Sequence, residues 1–280
     1  MREVNVKEIE DIIRDLCIES NYYLGKDIEE ALINAKKEEP YPIAEDVLDK
    51  LIINAGIARD NEVPMCQDTG MACVFLEVGQ EVHFNGGLIS DAINEGVRRG
   101  YEEGYLRKSV VKDPINRVNT KDNTPAVVYY DIVSGDKVKI TVAPKGFGSE
   151  NMSRVGMLKP ADGIEGVKKF ILETVKLAGP NPCPPMVIGV GIGGTFDKAT
   201  YLAKKALIRP INIRNKDNFY KELEEELLQS INELGIGPQG FGGKTTALGL
   251  NIETYPTHIA GLPVAVNINC HATRHKEFIL

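Results

Sequence analysis

Three of the five cysteines in this 280-residue sequence share a setting suited to metal chemistry. Cys66 lies in Pro64-Met65-Cys66-Gln67-Asp68-Thr69-Gly70, Cys183 in Pro180-Asn181-Pro182-Cys183-Pro184-Pro185, and Cys270 in Asn267-Ile268-Asn269-Cys270-His271. Each stands at a turn-rich element end, where a thiolate can face a cavity while flanking N–H groups stabilise its charge. They are 117 and 87 residues apart, a separation that a fold can still close. Three converging thiolates suit a [4Fe-4S] cluster with one iron lacking a protein ligand. That iron is a Lewis acid able to hold a hydroxyl and a carboxylate. Spacing alone leaves open that the three are unrelated loop cysteines. Cys17, at helical spacing, and Cys73, inside an apolar run, read as small buried hydrophobes.

Other patterns carry less. Gly189-Val190-Gly191-Ile192-Gly193-Gly194 satisfies G-x-G-x-x-G after a strand-like run and before a helix. A dinucleotide site also needs an acidic strand end about 20 residues on. Here that region carries Arg209 and Arg214 instead, which keeps an NADP-linked oxidoreductase as a distant alternative. Gly242-Gly243-Lys244-Thr245 resembles the end of a phosphate-binding loop, but Pro238 stands where its first glycine belongs. Cys270, His271 and His275 suggest zinc, yet no C-x-x-C pair or nearby fourth ligand accompanies them.

The elements that must position these residues follow from hydrophobic periodicity. Val6, Ile9, Ile12, Ile13 and Leu16, then residues 27–37, then Val47, Leu48, Leu51, Ile52 and Ala55 give a helical opening to about residue 60. Residues 71–78 read as a strand, Ser90 as the cap of a helix, and residues 126–133 and 137–142 as a hairpin around Ser134-Gly135-Asp136. Helices at about 164–177, 197–207 and 216–234 alternate with strands at about 186–191 and 262–268. This order predicts an α/β (mixed α+β) fold, a helical N-terminal segment followed by a mixed sheet with flanking helices. With no linker-like stretch, residues 1–280 are expected to form a single domain. Turn-rich segments at 64–70, 114–125, 144–162, 180–197, 235–246 and 254–275 are the places for a site.

Composition sets outer bounds. An apolar fraction of 42% and a charged fraction of 26% are ordinary for a globular chain. A net charge of −7 argues against nucleic acid as a partner and requires any anionic substrate to meet locally clustered Lys and Arg. No stretch approaches the roughly 20 apolar residues of a membrane span. The N-terminus has no apolar signal core, so a cytoplasmic location is expected.

Several longer motifs occur together: Cys66-Gln67-Asp68-Thr69-Gly70; Asn119-Thr120 with Asp122-Asn123-Thr124-Pro125-Ala126; Lys145-Gly146-Phe147-Gly148-Ser149-Glu150-Asn151; Gly189 to Asp197; and Leu262 to Cys270. In this order they resemble the class I, iron–sulfur-dependent fumarate hydratases, especially the α subunit of the two-subunit form, a likeness shared with the α subunit of L-tartrate dehydratase. The resemblance spans nearly the whole chain and is weakest over the first sixty residues.

It implies a hydro-lyase that reversibly hydrates fumarate to (S)-malate, a step of the tricarboxylic acid cycle, at an open [4Fe-4S] cluster. By motif, Cys66, Cys183 and Cys270 would be the ligands, Asp68 the carboxylate for proton transfer, and Gln67 a substrate contact. Arg117 would grip a substrate carboxylate, Gly146 and Phe147 would offer backbone N–H groups, and His258 would stand at the site edge. Relatives often carry three successive glycines where this chain has Phe147. The sequence stops soon after Cys270, where fused relatives continue, so the resemblance also implies a separate β subunit and an α2β2-type hetero-oligomer.

The chemistry is consistent with those residue types. Loss of a weakly acidic proton beside a carboxylate, with departure of hydroxide, needs an oxygen-binding Lewis acid and donors for the charge that builds on the other carboxylate. A two-pronged guanidinium meets the second need with fixed geometry. L-tartrate dehydration is the allied alternative, and a cluster-holding subunit without a substrate is the non-enzymatic one.

Overall fold

Apolar spacing near the start produces the expected helices. In the computed structural model, which describes residues 1–280, β1 (Arg2–Asn5) precedes α1 (Val6–Tyr22), α2 (Lys26–Glu38) and α3 (Pro42–Asn61). The Asn5 side chain caps α1 by accepting from Lys7 N–H, and Pro42 opens α3, where a missing N–H costs nothing. Next come β2 (Met71–Gly79), β3 (Val82–Asn85), α4 (Ile89–Glu103), β4 (Val127–Val133), β5 (Val138–Lys145) and the one-turn α5 (Phe147–Glu150). The remainder is β6 (Arg154–Leu158), α6 (Gly163–Ala178), β7 (Met186–Gly193), α7 (Phe196–Ala206), α8 (Asn218–Asn232), β8 (Ala247–Tyr255), β9 (Leu262–Asn269) and β10 (Lys276–Ile279). Helices and mixed sheets together make the mixed α/β class predicted above. Leu88, not Ser90, occupies the N-cap of α4, and no side chain caps that end.

The chain divides into two compact units. The first comprises Met1–Leu24, Asn54–Phe147 and Arg274–Leu280. Its main sheet has the order β10-β5-β2-β4, and β1 pairs with β3 in a separate two-stranded sheet. Ile9, Ile13, Leu16 and Cys17 of α1 and Ile93, Val97 and Tyr101 of α4 pack with Val74, Leu76, Ile140 and Val142 of the sheet.

Here one sequence expectation is corrected. Both arms of the predicted hairpin are strands, but they do not pair with each other. β2 runs between them, parallel to β4 and antiparallel to β5. The cause lies in β2, whose Ala72 to Leu76 are all buried and so need a strand on each side. Its end fills the space a hairpin turn would close: Gln80 N–H donates to Val133 O at 2.8 Å and Gly79 N–H to Lys137 O at 2.8 Å.

The second unit comprises Gly25–Ile53 and Gly148–Thr273, with sheet order β6-β9-β7-β8. Its centre is β7, buried along its whole length. Alternation separates its faces. Met186, Ile188, Val190 and Ile192 enter a core with Val167, Phe170 and Ile171 of α6 and Leu223, Leu227 and Ile231 of α8. Gly189 and Gly191 point the other way, where a β-carbon would lie 2.1 Å from Ala203 O and 2.1 Å from Ala199 O of α7. The glycine pattern therefore leaves one strand face bare so that a helix can lie against it. No helix of the chain is long and apolar enough to cross a membrane.

Substitutions at two glycines should separate these effects. Gly191→Ala is expected to destabilise by about 1–3 kcal/mol or more, because backbone is what the new methyl would strike. Gly56→Ala, within α3 and facing only the tip of Arg59 at 3.8 Å, should be neutral or stabilising by up to about 1 kcal/mol. Denaturant midpoints of the two variants would measure both.

Candidate active-site turn and cysteine-bearing loops

Residues 66–70 link α3 to β2, outside any sheet ladder, so their polar groups must be met individually. Met65 N–H, just before the turn, donates to Asn21 O at 3.0 Å, and Asn54 Nδ2 donates to Met65 O at 2.8 Å. Tyr101 OH lies 2.7 Å from Thr69 O and 2.9 Å from Gly70 O, and Asn123 Nδ2 donates to Gly70 O at 3.2 Å. Thr69 Oγ1 donates to Arg107 O at 3.0 Å, and Arg274 Nη2 to Asp68 O at 2.6 Å. Gly70 has φ +77° and lies so near β5 that a β-carbon would stand 2.8 Å from Lys145 backbone atoms. Only glycine fits there.

This frame orients Asp68. One carboxylate oxygen accepts Gly70 N–H at 3.0 Å and the other accepts Phe147 N–H at 2.8 Å. A β-carbon on Gly146 would come within 3.1 Å of Asp68 Oδ2, so the residue before Phe147 must be small for this approach. The structure thus brings Asp68, Gly146 and Phe147 together, with the Phe147 N–H bonded to the Asp68 carboxylate. Gln67 Oε1 lies 3.6 Å from Cys66 Sγ.

Arg117 sits in an exposed loop closed by the Val111–Asn119 bridge. Asp113 shapes that loop by accepting Asn116 N–H at 2.6 Å and Ile115 N–H at 2.9 Å, bonds that hold its carboxyl below the usual carboxylate range. Arg117 has φ +56°, and its guanidinium makes a long 3.5 Å bond to Pro114 O.

Cys183 and Cys270 belong to the second unit, on loops that are joined directly. Cys183 is exposed, with φ +55°, and its carbonyl accepts His271 N–H at 3.2 Å. His271 Nδ1 lies 3.1 Å from the same carbonyl and 3.2 Å from Gln239 Nε2, which also donates to Pro184 O at 2.7 Å. His271 thereby sets Cys270 beside the Cys183 turn. His258 is exposed and serves its own turn, Nδ1 accepting Ala260 N–H at 3.2 Å. Within either unit, no three His, Cys, Asp or Glu side chains form a metal-binding group, including the zinc set considered around His271.

The two phosphate-like motifs are used internally. Lys244 N–H donates to both carboxylate oxygens of the buried Glu39, at 2.9 and 3.1 Å, and Thr245 N–H to one of them at 3.4 Å. A carboxylate of the chain occupies that glycine turn. Arg209, one of the two arginines that kept the NADP-linked alternative open, instead pairs with the fully buried Glu224 and with Glu253. Glu224 in turn accepts Ile252 N–H at 2.8 Å and Asn215 N–H at 3.0 Å.

The thiols divide by exposure. Burial pushes the Cys17 thiol up to about 12, so it stays protonated, and Cys73 is likewise buried. Cys66 and Cys270 are half-buried and Cys183 is exposed, all on turns. Each, taken by itself, is an accessible thiol of the kind an iron–sulfur cluster takes as a ligand.

A sequence model described as fumarate hydratase (Fumerase) matches residues 10–279. The chain belongs to the fumarate hydratase family. It is 45% identical over 273 residues to a Methanocaldococcus jannaschii protein provisionally named L(+)-tartrate dehydratase subunit alpha, covering 95% of each chain. The L(+)-tartrate dehydratase subunits alpha of Escherichia coli O157:H7 and of Escherichia coli strain K12 are each 32% identical over 279 residues, covering 98% of this chain and 91% of theirs. The protein is accordingly a hydro-lyase α-type chain. Asn21 and Tyr101, which hold the Asp68 turn, escape sequence reasoning because each is an isolated residue on a helix with no motif of its own, and Arg274 because the loop between β9 and β10 draws notice only for its cysteine and histidines. Asn123 lay inside a family motif without a stated role.

In the metal-free protein at pH 8, Cys183 is expected to react first with a disulfide thiol reagent, and Cys17 and Cys73 only on unfolding. Loss of the fastest phase in Cys183→Ser, followed by absorbance, checks the assignment.

Proposed function

We propose that this chain is the α subunit of a cytoplasmic hydro-lyase that reversibly hydrates fumarate to (S)-malate, the tricarboxylic acid cycle reaction. In this reading residues 1–280 act as one domain, a separate β subunit completes the site in an α2β2-type assembly, and Cys66, Cys183 and Cys270 hold a [4Fe-4S] cluster. When bound, such a cluster supplies a Lewis acid for the departing oxygen and the adjoining carboxylate.

The observation that carries the reading is Asp68, whose two carboxylate oxygens are aimed by the N–H groups of Gly70 and Phe147 two residues from Cys66. A carboxylate so fixed keeps lone pairs with which to take the proton from the carbon beside the substrate carboxylate, at little orientational cost. Gln67 offers an amide to the substrate beside it. Arg117, whose guanidinium is exposed, takes the second carboxylate through two parallel N–H bonds. Gly146 places a backbone N–H near the developing charge, the Phe147 N–H acts through the Asp68 carboxylate it orients, and His258 closes the edge of the site.

A second reading, L(+)-tartrate dehydration, is favoured by the names of the relatives above. The products distinguish the two: malate loses water to give fumarate, whereas tartrate loses water to give an enol that tautomerises to oxaloacetate. Purified without oxygen together with its partner, the protein should show a higher kcat/KM for fumarate and malate than for L(+)-tartrate. The reverse order would select the second reading.

Cysteine and aspartate variants test the site. Cys66→Ser, Cys183→Ser and Cys270→Ser should each lose iron, sulfide and activity, while Cys17→Ser and Cys73→Ser keep them. Equal iron in all five would refute the ligand choice. Asp68→Asn should keep its iron and lose turnover by about 100-fold or more, damage confined to the transition state.

A further inference from the structure

Arg274 lies almost wholly buried, 6% exposed, in the C-terminal segment of the first unit. Burying a guanidinium is costly unless its donors are used, so the choice of acceptors is informative. One prong, Nη2, donates to the main-chain carbonyl of Asp68 at 2.6 Å. Another, Nε, donates at 3.1 Å to Oδ1 of Asn21, itself fully buried. Asn21 is in turn fixed on α1, its Nδ2 donating to Cys17 O at 2.9 Å, and its own carbonyl accepts Met65 N–H at 3.0 Å. Asn21 and Arg274 therefore hold the turn from both sides of the segment that contains Cys66, Gln67 and Asp68.

We propose that Arg274, braced by Asn21, is a positioning residue for Asp68. The inference rests on the acid–base role given to Asp68 above. Fixing the Asp68 carbonyl fixes the backbone from which its carboxylate projects, and so the line along which a proton reaches that carboxylate. The Thr69 and Gly70 carbonyls have other donors, Tyr101 and Asn123, so the second half of the turn stays in place without Arg274. Lysine is no equivalent, because a single ammonium cannot span the two acceptors with the guanidinium's fixed fork. The defect should fall on the transition state and spare substrate binding.

The test uses the complete enzyme, loaded with iron and sulfide without oxygen, on whichever of the two diacids it turns over. Arg274→Lys is expected to keep its iron and its KM within about threefold while kcat falls about 10- to 100-fold. The isotope effect with substrate deuterated at the carbon that loses the proton should rise, a change that general loss of folded protein would not produce. In the metal-free chain, amide exchange should quicken across residues 66–70 and stay unchanged in β2. Wild-type kcat per iron, or unchanged exchange in the turn, would overturn the inference. Should Arg274→Lys fail to load, Asn21→Ala carries the test: it keeps the bond to Asp68 but loosens the guanidinium, and a wild-type kcat and isotope effect there would overturn the inference too. Asp68→Asn is run in parallel. If it stays active, the acid–base reading falls and this inference with it; if only the Arg274 and Asn21 variants stay active, this inference falls alone.

Discussion

A turn that enters a buried strand from a helix carries peptide groups that no ladder can satisfy, and in this protein that turn holds Cys66 and Asp68. Its carbonyls are met by side chains from Tyr101 on α4, Asn123 on the following loop and Arg274 near β10, while Asn21 on α1 secures the approach. Hydrogen bonds of this kind are worth little singly, but leaving a buried partner unmet is costly. The packing of α1 and α4 on the sheet does more than bury apolar surface: it brings the Asn21 acceptor and the Tyr101 donor to fixed places along the turn that carries Asp68. The shape of the first unit and the orientation of Asp68 are thus two results of the same packing.

The second unit shows how easily a motif can be spent on structure. Its G-x-G-x-x-G run is the bare face of a central strand under α7, and its glycine-lysine turn wraps Glu39. Arg209 neutralises Glu224 within the core around β8. All three patterns involve the forces that would hold a phosphate, namely close backbone approach, converging N–H groups and a guanidinium, yet each is satisfied by the chain itself.

The class of fold and most elements were legible because they rest on periodicity. α1, α6, α7, α8, β2, β7 and β9 fall close to where the apolar spacing put them. Strand partnership was not legible: nothing local in residues 126–142 reveals that β2 enters between β4 and β5, since that is decided by the burial of β2 on both faces. β6, β8 and β10 were missed because they are short, glycine-interrupted or at an edge, and take their form from neighbours. At the candidate site, the turn that holds Cys66 and Asp68 was visible as a motif, and the burial of Cys17 and Cys73 through their setting among apolar residues. Asn21, Tyr101 and Arg274 were not, because a supporting residue is defined by what it touches, over separations as large as 253 residues for Arg274 and Asn21.

The bond between Arg274 and Asp68 joins positions 206 residues apart. A ribosome that has finished the cysteine-bearing turn must add all of those residues before its last tether exists. Until then the turn has Tyr101 and Asn123 on its Thr69 and Gly70 carbonyls and the Asn21 carbonyl on its approach, while the Asp68 carbonyl lacks the Arg274 guanidinium. The turn that carries Asp68 therefore reaches its full set of bonds only after translation has passed residue 274.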